Sequence, residues 1–167
     1  MNREKYLQYI NEKLSVLTYQ IENYNSVNIS SLNIHSEYFF CELFNLIFKL
    51  KLNNTNFECS NYVAIDLADE VNKVAIQVTS NNAKKKLVET VNKFTGNNFS
   101  SKFDKLFIYN LTQKTSHKSE IIALGNNVFF DTKKNILDKS DIIKKISGLN
   151  SNELKGVFDL FHLNFYN

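Results

Sequence analysis

Residues 62–79, YVAIDLADEVNKVAIQVT, decide the fold. Tyr62-Val63-Ala64-Ile65-Asp66-Leu67 and Lys73-Val74-Ala75-Ile76-Gln77-Val78-Thr79 are apolar, β-branched runs joined by the polar link Ala68 to Asn72. Runs of this length between polar boundaries read as strands, and so short a link makes them an antiparallel hairpin. A weaker strand candidate lies near Phe57 to Cys59, after the turn Asn53-Asn54-Thr55-Asn56. One polar side chain interrupts each run: Asp66 near the end of the first, and Gln77 in the second, 77 − 66 = 11 residues later.

Upstream, Leu7, Ile10, Leu14, Leu17 and Ile21 recur at threes and fours and predict a helix over 2–23. Two heptads are too few for a convincing coiled coil, so packing on the domain is expected, with a helix-pair homodimer as the alternative. Ser31 or Asn33 caps a second helix ending about Phe48, apolar nearly all round from Tyr38 and so central to the core. Downstream, a helix is expected over about 83–94, with Leu87, Val88 and Val91 inward and Gly96-Asn97 ending it. A strand over 105–111 is too apolar for a sheet edge. A short helix near Ser119 to Leu124 stops at Gly125, a strand covers Val128-Phe129-Phe130, and two helices close the chain at about 138–147 and 151–163. The order predicts one α/β domain over 1–167, with a mixed central sheet flanked by helices: an antiparallel hairpin, then helical crossovers to parallel strands.

Composition removes whole classes. Hydrophobic residues at 43% of 167 exclude a disordered tail and allow a core without staples. The longest apolar stretch, Tyr38 to Leu50, is broken by Glu42, Asn45 and Lys49 and is too short to span a membrane. Arg3, Glu4 and Lys5 lead straight into the amphipathic pattern, without a signal-peptide apolar run. Cys41 and Cys59 form no CxxC pair and lie near no histidine cluster, so buried thiols in a reducing cytoplasm are expected, and no zinc. Charge is unevenly spread: residues 1–80 carry six Lys/Arg against nine Asp/Glu, and residues 81–167 fourteen against eight. An acidic site facing a basic rim would produce that split, as would a solvated lysine-rich surface.

Chemistry is expected where the acids sit. A carboxylate such as Asp66 in an apolar strand is costly unless paired or bound to a cation. Gln77 lies across the hairpin, and Glu37 is expected in the first turn of the second helix. A hard divalent cation, Mg²⁺ or Mn²⁺, takes a few oxygen ligands and keeps waters, and Glu37, Asp66 and the Gln77 amide oxygen supply such a set. Each residue also has a plainer role: Glu37 as favourable charge at a helix N-terminus, Asp66 as a bond to the following turn, Gln77 as a satisfied sheet amide. A second feature is Thr79-Ser80-Asn81-Asn82-Ala83-Lys84-Lys85-Lys86, where a strand end, a polar turn and a helix start would hold phosphate through Ser80, Asn81, Lys84, Lys85 and Lys86. An ordinary cap followed by solvated lysines explains the same residues equally well. His35 is read as structural, though the cap could bring it near the site.

The stretch Asn33-Ile34-His35-Ser36-Glu37-Tyr38-Phe39-Phe40, then Ala64-Ile65-Asp66-Leu67, then Val74 to Ser80 with Lys84-Lys85-Lys86 and Phe94, resembles the SMEK domain. That is a bacterial family of phage-defence and mobile-element contexts, similar to the PD-(D/E)XK superfamily. The resemblance implies a restriction-endonuclease-like core and a metal-dependent nuclease acting on nucleic acid, with DNA the first expectation. It implies Glu37 as the helix acid, Asp66 as the strand aspartate and Gln77 at the second acid position, in a cytoplasmic effector that has a defence-system partner protein or a second copy of itself. The chain departs from the superfamily at Thr79, where those nucleases place a catalytic lysine. Lys84, Lys85, Lys86 or Lys73 stands in for it, or the fold serves as an inactive module binding nucleic acid or a partner protein.

Overall fold

The computed structural model describes residues 2–29, 31–56 and 62–165. Helix α1 spans Arg3–Ser26 and is capped by Asn2, whose side chain accepts from the Lys5 backbone N–H. The seam read from the sequence is its buried face: Ile10, Leu14, Leu17 and Ile21. That seam joins one core with Ile142 and Ile146 and with Leu154, Val157 and Phe161, so it is consumed within the chain. Helix α2, Ser31–Phe48, buries Phe39, Phe40, Leu43, Phe44 and Ile47 but leaves Ile34, Tyr38 and Leu46 exposed, so it is two-sided rather than apolar all round.

The sheet has five strands in the order β1-β2-β3-β4-β7. These are β1 Asn53–Asn54, β2 Leu67–Asp69, β3 Val74–Thr79, β4 Lys105–Asn110 and β7 Ile136–Leu137. β1–β2 and β2–β3 are antiparallel, and β3–β4 and β4–β7 are parallel. Helix α3, Lys84–Gly96, makes the crossover from β3 to β4, and the single-turn 3₁₀ helix Phe99–Ser101 follows it. Helices α4, Lys139–Ser147, and α5, Ser151–Phe165, complete the chain. β4 is interior, as its apolar run required.

Alternation along the strands assigns the two faces. Leu67, Val74, Ile76, Val78 and Tyr109 point into the core of α1, α2, α4 and α5. Ala68, Ala75, Leu106 and Ile108 point to the other side, against Leu87, Val91 and Phe94 of α3. Asp66, Gln77 and Thr79 share the parity of Ala68 and Ala75, and so lie on the α3 side.

Two sequence expectations change here. The first hairpin strand, expected over 62–67, begins at Leu67, because Ile65 N–H bonds Tyr62 O across a turn and Ala64 adopts φ 63. β-Branched content did not register that turn. The expected helix near 119–124 is instead strand β5, Ile121–Gly125, paired antiparallel with β6, Val128–Asp131. Asn126 and Asn127, at φ 49 and φ 59, make the left-handed two-residue turn that hairpins favour, and Gly125 precedes them at φ 93. The connection from β4 to β7 therefore runs through a hairpin and not a helix, and β1 and β7 are two-residue strands with too little sequence to carry a pattern. The strand candidate at Phe57 to Cys59 lies outside the described residues. Cys41 is buried with its thiol on Leu52 O at 3.3 Å, and burial pushes the thiol up to about 11, as an inert core cysteine requires. No helix among the described residues is long and apolar enough to cross a membrane.

Candidate functional site

The β2–β3 register, Leu67 opposite Ile76, sets Asp66 opposite Gln77 at the next rung. Asp66 is already bonded into the sheet on both sides: its N–H donates to Ile76 O at 3.0 Å and its carbonyl accepts from Thr55 N–H at 2.8 Å. One carboxylate oxygen, Oδ2, accepts from Gln77 Nε2 at 2.5 Å and from Val78 N–H at 2.7 Å. Gln77 Nε2 also donates to Val78 O at 3.0 Å, which fixes the amide and leaves Gln77 Oε1 buried without a partner among the described residues.

Glu37 comes from α2. Because that helix begins at Ser31, Glu37 sits in its second turn and not in the first, so charge at a helix N-terminus does not account for it. Its Oε2 accepts from Asn56 Nδ2 at 2.9 Å. Burial raises the Glu37 carboxyl above its ordinary value, with the Asn56 and Asn54 amides pulling against it. Burial, then the Glu37 charge, push Asp66 up to about 6, against the Val78 N–H, the Lys86 charge and the Asn56 amide. The two acids are thus electrostatic neighbours around one asparagine. Among the described residues no lysine or arginine nitrogen lies within 4.0 Å of either carboxylate.

Asp69, three residues beyond Asp66, is a control built into the same strand. It is fully buried, yet its oxygens take Lys51 N–H at 2.6 Å, Asn72 N–H at 2.8 Å and Asn72 Nδ2 at 2.7 Å. Burial raises its carboxyl, but those donors outweigh it and the net shift is downward. Asp69 is a tied structural acid, whereas the donors to Asp66 and the Lys86 charge do not outweigh burial and the Glu37 charge. Asp69 carries no such signal in the sequence, because it lies in the polar link Ala68 to Asn72.

The remaining candidates separate. Thr79 closes β3 on the same face as Gln77, and its Oγ1 accepts from Asn81 N–H at 3.0 Å. Asn81 Oδ1 in turn accepts from Ala83 N–H at 2.9 Å, so Thr79 and Asn81 shape the turn into α3. Ser80 Oγ accepts from Asn33 Nδ2 at 3.4 Å, tying that turn to α2. Of the three lysines, Lys84 and Lys85 are exposed, whereas Lys86 is partly buried and its charge is felt at Asp66. Lys73 is at the far end of β3, about 20 Å from Thr79 at strand rise, and leans toward Asp104 at 3.8 Å. His35 is exposed on α2.

No set of three His, Cys, Asp or Glu converges among the described residues. The available donors are hard oxygens: two carboxylates beside an unpartnered amide oxygen. Such a set fits a magnesium-like cation that retains much of its water, and does not fit a thiolate or imidazole metal.

The fold and site define an α/β domain with an open mixed sheet and a carboxylate pair where the hairpin meets the crossover helix. The chain belongs to the SMEK domain family, whose profile matches residues 9–147 and so takes in α2, the hairpin, α3 and β4. No curated protein and no solved structure matches it.

Proposed function

We propose that this chain is a metal-dependent deoxyribonuclease-type effector domain of bacterial anti-phage defence with a PD-(D/E)XK-like core. The observation that carries the reading is the Glu37–Asp66 pair: two partly buried acids, with the Glu37 charge adding to burial in raising the Asp66 carboxyl, and no ammonium or guanidinium within 4.0 Å of either among the described residues. Such an arrangement is costly unless a cation joins it. Bound there, Mg²⁺ or Mn²⁺ would lower the pKa of a coordinated water and neutralise charge on a scissile phosphate. Glu37 and Asp66 hold that cation, and Gln77 fixes the Asp66 carboxylate through its amide. Lys86 supplies positive charge from α3. The order helix acid, strand aspartate, hairpin, crossover helix is the layout expected of the superfamily.

Thr79 favours a second reading, an inactive module of the same fold that binds nucleic acid or a partner protein, since no lysine follows Gln77 two residues on. Supercoiled plasmid incubated with the protein and Mg²⁺ or Mn²⁺, beside Asp66→Ala, separates the two. Nicking or linearisation that Asp66→Ala loses while retaining its circular dichroism supports the nuclease. Cleavage undiminished in Asp66→Ala would remove it, and DNA shifted but uncut by both proteins would favour the binding module.

A further inference from the structure

Asn110 ends β4 directly opposite Thr79, the last residue of β3, in the parallel register. It shares the parity of Leu106 and Ile108, so its side chain is on the α3 side of the sheet with Gln77 and Thr79. Asn110 is only 2% exposed, and its Oδ1 has no hydrogen-bond partner among the described residues. Gln77 Oε1, on the next strand and one step back along the same face, is orphaned too. Diagonal neighbours of this kind have backbones about 7–8 Å apart, close enough for one or two small donors to span their side chains.

Two orphaned acceptors on one face demand a donor, because an unmet buried amide oxygen is destabilising. Among the described residues no protein group donates to either oxygen. The Gln77 amide cannot turn, since its Nε2 is committed to Asp66 Oδ2 and Val78 O. The ends of β3 and β4 are also locked in place: Leu111 N–H donates to Thr79 O at 2.8 Å, and Thr112 Oγ1 to Ser80 O at 3.3 Å. An anion cannot satisfy acceptor oxygens. A polarised water can, and the carboxyl ends of parallel strands are where an open α/β sheet receives its ligands.

We propose that Asn110 is a positioning residue of this site, its Oδ1 accepting from a water in the hydration shell of a divalent cation held by Asp66 and Glu37. The proposal rests on the reading that the carboxylate pair binds such a cation. It gives Thr79 a counterpart: where superfamily members use a lysine donor at this strand end, the chain offers an acceptor on the neighbouring strand to orient the water.

The test titrates Mn²⁺ alone into wild type, Asn110→Leu and Asn110→Asp, by calorimetry and by the metal-induced change in Tm. Asn110→Leu should weaken Mn²⁺ binding by about tenfold, as loss of an outer contact to a metal site does, with the metal-free Tm unchanged or raised. Asn110→Asp should lower the metal-free Tm and enlarge the Mn²⁺-induced rise beyond that of wild type. Unchanged Mn²⁺ affinity in Asn110→Leu overturns the proposal, and so does a wild-type protein that binds no Mn²⁺. If Asn110→Leu does not fold, Asn110→Asp decides, and no enlarged rise is again fatal. Mn²⁺ binding that depends on Asn110 without Asp66-dependent plasmid cleavage sustains the inference while removing the nuclease reading.

Discussion

Gln77 donates its amide to Asp66 Oδ2 at 2.5 Å across the rung that follows Leu67 and Ile76, and spends its only buried donor contacts on that carboxylate and on Val78 O. The pairing keeps Asp66 aimed along the α3 side of the sheet without neutralising it. An amide partner fixes direction, and a cationic partner would have cancelled the charge. The residue chosen opposite Asp66 therefore preserves an acid in need of a counter-ion.

That unmet need makes Asp66 a liability for the free protein at neutral pH. Its folded carboxyl is raised from 3.8 to about 6. Between those values the folded state binds more protons than the unfolded one, so stability falls as pH rises through the window. At roughly 1.4 kcal/mol per unit the ceiling on this cost is about 3 kcal/mol above pH 6. Asp66→Asn keeps an acceptor for Gln77 and Val78 and removes the charge. It should stabilise the metal-free protein at pH 7–8 by up to about that amount, with the gain fading as pH falls toward 4. Urea denaturation of both proteins across this range checks it, and a gain independent of pH would contradict the assignment to Asp66.

The hairpin is legible because Val74 to Thr79 is an apolar, β-branched run of strand length broken only by Gln77, as Asp66 breaks the run before it. Its partner was misplaced because Tyr62 to Ile65 carries the same residue types in a turn, and composition cannot see a positive φ. The β5 strand reads as a helix because Ile121, Ile122 and Leu124 suit either period over so short a run, and only the Asn126-Asn127 turn before Val128 distinguishes the two. Glu37, Asp66 and Gln77 are legible as residues, but the Asn56 amide that lies between Glu37 and Asp66 is not. Asn110 was invisible, since an asparagine at a strand end is ordinary until its oxygen is found buried and unpaired.

Ala64 offers a test of that misplaced turn. It adopts φ 63, where a Cβ costs roughly 1–2 kcal/mol, and the turn it makes delivers the chain into the sheet at Asp66. Ala64→Gly relieves the strain and gives back about 0.4–1 kcal/mol through greater freedom in the unfolded chain. The net expectation is stabilisation by up to about 1 kcal/mol, with the Asp66 rung intact. Chemical denaturation measures it. A destabilised Ala64→Gly variant would mean that the left-handed turn is not what precedes Asp66.

Lys86 should prove unlike its two neighbours. Three consecutive lysines are spread by about 100° each around a helix, so one can lean toward the sheet while the others face water. Lys86 is the one that is partly buried, and its charge opposes the rise of the Asp66 carboxyl. Removing it as Lys86→Gln should push Asp66 further up and shift the pH-dependent stability window upward. The same change at Lys84 or Lys85, both exposed, should leave the window where it is. DNA binding gives an independent comparison: any of the three that neutralises one phosphate should, when changed to Gln, flatten the salt dependence by about one unit of slope. Lys86→Gln alone should combine that loss with the altered acid titration. Equal effects of all three substitutions on the titration would show that the Asp66 carboxylate senses only the general charge of α3, and Lys86 would then be no different from its neighbours.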